Sequence, residues 1–193
     1  MPQLWVIAGP NGAGKTTIAN RWLAHRIPVV SPDTFAINEG LSSVDAGRKA
    51  VVMQNSLLDS GSDFAIDTTL SGKRELTLMR AAAQCGYKVS LVFVCVESPK
   101  ICNLRILERV ANGGHSVPPE DVARRFERSL NNLKESFSVA HRIFVLDNSD
   151  ERRNLLFSME NWRVKHLSGH LPLWAKSSIP EELLEFRNGK SIK

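Results

Sequence analysis

With 193 residues and a 42% hydrophobic content, the chain is long enough for one domain with a full core and short for two. Its net charge of +5 fits an anionic ligand such as a nucleotide or sugar nucleotide, and equally nucleic acid, so charge alone does not decide. Three cysteines without C-x-x-C spacing (Cys85, Cys95 and Cys102) argue against a disulfide framework, and no apolar stretch is long enough to span a bilayer. No signal peptide is recognisable, and a cytoplasmic location is the expectation.

An apolar run, Leu4 to Ala8, reads as a buried strand. It leads into Gly9-Pro10-Asn11-Gly12-Ala13-Gly14-Lys15-Thr16, which matches G-x-x-x-x-G-K-[ST], the phosphate-binding P-loop. Thr17 and a helical pattern follow, with Ile18, Trp22 and Leu23 on one side. The chemistry needs this order. Glycines let backbone N–H groups turn in around phosphate oxygens, and the helix N-terminus adds partial positive charge. Lys15 can reach the β- and γ-phosphates, and the Thr16 hydroxyl can ligate Mg²⁺.

Ile27 to Ser31 reads as a second strand stopped by Pro32, which sets Asp33 just past a strand end. Residues 36–44 read as a loop. A helix is expected from about Val44 to Leu58, with Val51, Val52, Asn55 and Leu58 at helical spacing. Asp63 to Asp67 is the next strand, delivering Asp67, Thr68 and Thr69 to the same edge, with Ser71 and Gly72 in a polar loop beyond. Lys73 to Cys85 reads as a helix with Leu76, Met79 and Ala83 on one face, and Lys88 to Val96 as the most apolar strand. Ser98-Pro99 opens a helix through Leu104 and Leu107 to about Ala111.

Asn112-Gly113-Gly114-His115-Ser116-Val117-Pro118-Pro119 breaks the pattern and suggests a hinged loop. The helix expected at Pro119 to Ser136 has a stripe of Val122, Phe126, Leu130, Leu133 and Phe137, with Arg124, Arg125 and Arg128 off it. Arg142 to Asp147 reads as a strand, Leu155 to Val164 as a hairpin or strand pair around Glu160-Asn161, Leu171 to Trp174 as an apolar segment, and Ile179 to Arg187 as a short terminal helix. Strands alternating with helices imply a mostly parallel sheet covered on both faces. The expected fold is therefore α/β: a P-loop NTPase-type three-layer sandwich with a lid at about 105–128 and a C-terminal extension at about 151–193.

Asp33 can be a base beside the γ-phosphate or a turn aspartate after proline. Asp67 can help hold Mg²⁺ or cap the next helix, and Thr68, Thr69 and Ser71 can bind substrate or cap it. Arg105, Arg109, Arg124, Arg125 and Arg128 surround the glycine loop. Arginines there can neutralise charge on the transferred phosphoryl group, and at least two of the five are expected to be solvated helix charges. His115 is a candidate for substrate or phosphate contact.

Together these segments resemble the zeta-toxin family of P-loop kinases: Gly9 to Thr17, Pro32-Asp33-Thr34-Phe35, Asp67-Thr68-Thr69-Leu70-Ser71-Gly72, Arg109 to Pro118, and Phe144 to Ser149. The resemblance covers about residues 4–150. It implies a phosphotransferase using ATP and Mg²⁺, with UDP-N-acetylglucosamine as acceptor at the 3′-hydroxyl of its amino-sugar, and an antitoxin as partner. By motif match Lys15 is the P-loop lysine, Asp33 the catalytic base and Arg109 a γ-phosphate arginine, while Asp67 stands where the plasmid-type toxins place a glutamate near substrate. His115 stands where those toxins have a second lid arginine, which passes that role to Arg124 or Arg125. Two other functions also fit the P-loop. One is an ATP-binding regulatory module, which has no need of a base at Asp33. The other is a kinase for another nucleotide or a nucleic-acid end, against which the chain shows no aromatic stacking platform among its basic residues.

Overall fold

The computed structural model describes residues 1–185. Seven strands form one mixed sheet: β1 (Gln3–Ala8), β2 (Val29–Val30), β3 (Phe64–Thr68), β4 (Lys88–Cys95), β5 (Arg142–Asp147), β6 (Asn154–Glu160) and β7 (Arg163–Leu167). Their order is β2-β3-β1-β4-β5-β6-β7. The first five are parallel, and β6 and β7 add antiparallel at one edge. Eight helices accompany them among the described residues: α1 (Lys15–Trp22), α2 (Pro32–Glu39), α3 (Ser43–Asp59), α4 (Arg74–Gln84), α5 (Pro99–Ala111), α6 (Pro119–Ser136), α7 (Leu173–Ser178) and α8 (Glu181–Leu184).

Alternation along the strands divides the core into two layers. Leu4, Val6 and Ala8 of β1 and Val89, Leu91 and Phe93 of β4 pack to one side, with α3, α4, α5, α6 and α7. Ile7, Val92 and Val94 pack to the other against Ile18, Ala19 and Leu23 in and just after α1. Each fully buried side chain of this size contributes about 1.5–3 kcal/mol, so the central strands β1 and β4 form the rigid base on which the loops at their C-terminal ends stand. Trp174 of α7 packs on Phe93, their ring centroids 6.3 Å apart, and ties the C-terminal segment to the central strand.

Several expected elements shift. Residues 36–39 are helical, because Pro32 sits in the first turn of α2 with Asp33 beside it at the positive end, and Gly40 in the left-handed region ends the helix. Asp33 is therefore a first-turn helix residue, and the second strand shrinks to Val29–Val30. Trp22, Leu104 and Leu107 are exposed, and Cys102 and Ile106 make the buried stripe of α5. In α3 the buried residues are Ala46, Ala50 and Gln54, while Val52 is exposed. The hairpin turn is Asn161-Trp162, both at positive φ, which places Trp162 at an exposed tip rather than in a strand. The terminal helix expected over 179–187 begins as α8, and its last two positions lie outside the described residues.

Candidate active site

The P-loop leaves β1 between its two parallel neighbours, β3 and β4, where ligands gather beyond the C-terminal strand ends. Gly9 has φ 140° and a Cβ there would stand 1.9 Å from the Val94 carbonyl oxygen; a Cβ at Gly12 would stand 2.7 Å from the Cys102 carbonyl oxygen. The loop is thus pressed between β4 and α5 at positions only glycine fills. Asn148, just after β5, donates from Nδ2 to the Ala13 carbonyl at 2.8 Å and props the loop from the far side. The Lys15 ammonium is buried and donates to the Pro10 carbonyl at 3.1 Å, so the lysine folds back across its own loop.

Beside this loop the Thr16 hydroxyl donates to Asp67 Oδ2 at 3.1 Å. Burial raises the Asp67 carboxyl above its ordinary range, and Asp33 adds to the rise, while Lys15 and the Thr16 hydrogen bond pull it down. A carboxylate that is costly to ionise, next to a hydroxyl, is a donor set suited to a hard divalent cation. Thr16 and Asp67 therefore fit the Mg²⁺ expected of this motif.

Two adjoining cavities open here. One, of about 280 Å³, is lined by Gly12, Gly14, Lys15, Thr16, Thr17 and the arginines Arg105 and Arg109, together with Asn11, Asp33 and Asp67. It has the composition of a polyphosphate site. The other, of about 390 Å³, has walls from α3, Thr68, Thr69, the start of α4 and Arg125. Asn11, Lys15, Asp33 and Asp67 line both cavities, so their carboxylates and the ammonium stand where the two meet.

The loop between α5 and α6 folds onto this junction. His115 Nε2 lies 3.7 Å from Asp33 Oδ2, and Arg109 donates from Nη2 to the His115 carbonyl at 2.8 Å. Arg125 reaches Asn11 Oδ1 at 3.4 Å across 114 residues of sequence. Arg124 lines neither cavity and pairs with Asp121 on its own helix. Ser71 and His115 also lie outside both: Ser71 is hydrogen-bonded to Thr69 at 2.8 Å, and His115 stands against the Asp33 carboxylate at their edge. Gly9, Pro10 and Ala13 line neither cavity; the Pro10 and Ala13 carbonyls accept from Lys15 and Asn148. Sequence reasoning named Asn11 within the P-loop and Arg105 among the arginines, and both line the phosphate cavity; it missed Asn148 as a prop and Gln54, Arg74 and Glu75 around the second cavity. Of these only Asn148 carried a signal, as part of the segment after β5 that resembles the toxins.

The three-layer α/β architecture and a P-loop after its central strand define a P-loop kinase-like protein. The chain belongs to the AAA_33 family of AAA domains, whose family model matches residues 4–133. An uncharacterized protein of Haemophilus influenzae is 29% identical over 136 residues, spanning 64% of this chain and 97% of the relative. Among solved structures, the AvrRxo1-ORF1:-ORF2 complex with ATP superposes with a TM-score of 0.68 at 18% identity, over 86% of this chain and 60% of that one. This chain therefore spans about three-fifths of that protein's length. The PezAT chromosomal toxin–antitoxin system of Streptococcus pneumoniae gives a TM-score of 0.64 at 16% identity, over 96% of this chain and 82% of that one. At these identities the likeness is one of fold.

Proposed function

We propose that the protein is an ATP- and Mg²⁺-dependent phosphotransferase of the zeta-toxin type, acting on a hydroxyl of a UDP-sugar, with UDP-N-acetylglucosamine the first acceptor to test. The observation that carries this reading is the pair of cavities meeting at Lys15, Asp33 and Asp67. A protein that only binds a nucleotide needs the phosphate cavity alone. One that transfers phosphate needs a second cavity and a carboxylate between them.

In this mechanism the P-loop backbone and Lys15 bind the β- and γ-phosphates, with Arg105 and Arg109 along the same cavity. Thr16 and Asp67 would hold Mg²⁺, which would neutralise phosphate charge when bound. The acceptor occupies the cavity under α3. Asp33 takes the proton of its hydroxyl as the oxygen forms a bond to the γ-phosphorus, and the bond from that phosphorus to the β–γ bridging oxygen breaks to release ADP. Arg109 and Arg125 meet the charge on the phosphoryl oxygens, one from each side of the glycine loop. A cytoplasmic setting and an antitoxin partner accompany this reading.

The test is incubation with Mg-ATP and UDP-N-acetylglucosamine, read by mass spectrometry for the gain of one phosphate and by NMR for its position. The expected product carries phosphate on the 3′-hydroxyl of the amino-sugar. Asp33→Asn keeps shape but cannot take the proton, and is expected to lose about 10²-fold or more in rate while still binding ATP. Full activity of that variant would remove Asp33 from the mechanism. No phosphorylation of any UDP-sugar would refute the acceptor.

A further inference from the structure

The turn after β3 is gripped from a distant part of the chain. It starts at Thr69 and leads through Leu70 and Gly72 into Arg74 and Glu75, and Thr69, Arg74 and Glu75 all line the second cavity. Leu70 is fully buried at φ 54°, in the left-handed region that a leucine rarely adopts. Such a conformation persists where the surroundings over-determine it. Here two side chains of α6 do so. Ser129 Oγ donates to the Thr69 carbonyl at 2.7 Å. Asn132 Nδ2 donates to the Leu70 carbonyl at 2.8 Å and to the Gly72 carbonyl at 3.0 Å. Ser129 is fully buried and Asn132 is 4% exposed, so these bonds are shielded from water. Arg125, Ser129 and Asn132 follow one another at spacings of four and three, on one face of α6. That face brings Arg125 to the cavity and holds the turn that carries the neighbouring wall.

We infer that Ser129 and Asn132 are positioning residues for the phosphoryl acceptor: they fix the Thr69 turn in register with Arg125, so that turn and helix act as one body. This inference rests on the phosphotransferase reading of the two cavities. Neither residue lines the acceptor cavity or the phosphate cavity, and both act through the backbone of the turn. The nucleotide side is braced separately. Asn148 props the P-loop, and Asp67 belongs to β3. Loss of the grip is therefore felt by the acceptor and not by ATP.

Two serine-to-alanine variants separate positioning from stability. Ser129→Ala removes one hold on the turn. Ser136→Ala removes an equally buried hydroxyl of the same helix, whose bond to the Asn132 carbonyl at 2.7 Å stays within α6. Asn132→Ala removes the other two holds. Each full-length variant is given Mg-ATP and a bacterial metabolite extract, the acceptor being whichever compound gains one phosphate. Hydrogen exchange over residues 67–73 is measured beside the kinetics. Ser129→Ala and Asn132→Ala are expected to lower kcat/KM for that acceptor about 10-fold or more, mainly through KM, and to speed exchange in the turn. The KM for ATP is expected to hold, and Ser136→Ala to match the parental protein in both readouts. An acceptor kcat/KM within about 2-fold of parental in Ser129→Ala and Asn132→Ala, against that expected loss, would overturn the assignment. An equal loss in Ser136→Ala would overturn it too, as a general effect on α6. Should Asn132→Ala fail to fold, Ser129→Ala against Ser136→Ala gives the answer. If the phosphorylated compound is not a UDP-sugar, the acceptor named above is wrong and the variants are judged on the compound found. If no compound gains phosphate, both readings fall.

Discussion

Replacing Gly114 by alanine isolates the contribution of the α5–α6 loop to the position of Arg109. A Cβ at Gly114 would stand 2.5 Å from Arg109 Cγ, 3.2 Å from its Cδ and 3.0 Å from its carbonyl oxygen. Restoring ordinary contact requires the arginine stem to retreat by about 0.9 Å, from 2.5 to 3.4 Å. A misplacement of about 1 Å costs on the order of 10²-fold in rate when the displaced group acts on the reacting atoms. The neighbour Gly113 is the control. It has φ +84° and nothing within 4 Å of its would-be Cβ. Gly113→Ala therefore strains the backbone by about 1–2 kcal/mol without touching Arg109. For a chain of this size each kcal/mol lowers Tm by about 2–4 °C. The expected outcome is a crossing pattern: Gly114→Ala loses about 10²-fold in kcat with little change in Tm, and Gly113→Ala loses Tm with kcat kept. Steady-state kinetics beside calorimetry reads both. Parental kcat in Gly114→Ala would show that the loop does not set Arg109 for transfer.

Lys15→Ala is expected to abolish turnover with circular dichroism unchanged, since the side chain lies back across its own loop; ATP turnover at the parental rate would refute the phosphate site. Asp67→Asn is expected to lower activity and raise stability at neutral pH. Because burial raises the folded-state pKa of Asp67, ionising it costs stability as pH rises from the unfolded-state value through the folded one. The gain from asparagine should thus vanish in acid, below about pH 4 where both states are protonated, and denaturant titrations at two pH values check the sign. Arg125→Ala is expected to reduce turnover by about 10³-fold if it meets the transferred charge, and Arg124→Ala to leave it near parental because, of the two arginines that pair with Asp121, only Arg125 lines a cavity; equal effects in the two would place the relevant charge elsewhere.

What the sequence made legible follows from how local each signal is. The P-loop, its strand and its helix declare themselves in consecutive residues, as do the segments that resemble the toxins. Asp67 stands at the expected edge because strand ends in a parallel sheet converge there. Gln54 was invisible for the opposite reason: the more hydrophobic Val52 suggested a different face for α3, whereas close packing selected small Ala46 and Ala50. Contacts between distant segments, such as Arg125 to Asn11 and Asn148 to Ala13, have no local pattern at all. The helix at 32–39 was missed because Pro32 reads as a stop for the strand before it and equally as a start for the helix after it.

That Asn11, Lys15, Asp33 and Asp67 line both cavities has a stereochemical consequence. In the proposed reaction donor and acceptor share one wall and can be held at the same moment, so the phosphoryl group would have no need of an intermediate carrier on the protein. The attacking and departing oxygens then lie on opposite sides of one phosphorus atom. A γ-phosphate made chiral with oxygen isotopes and sulfur would arrive on its acceptor inverted, and initial-rate plots would intersect rather than run parallel. Retention of configuration would mean that a side chain of the shared wall carries the group in between.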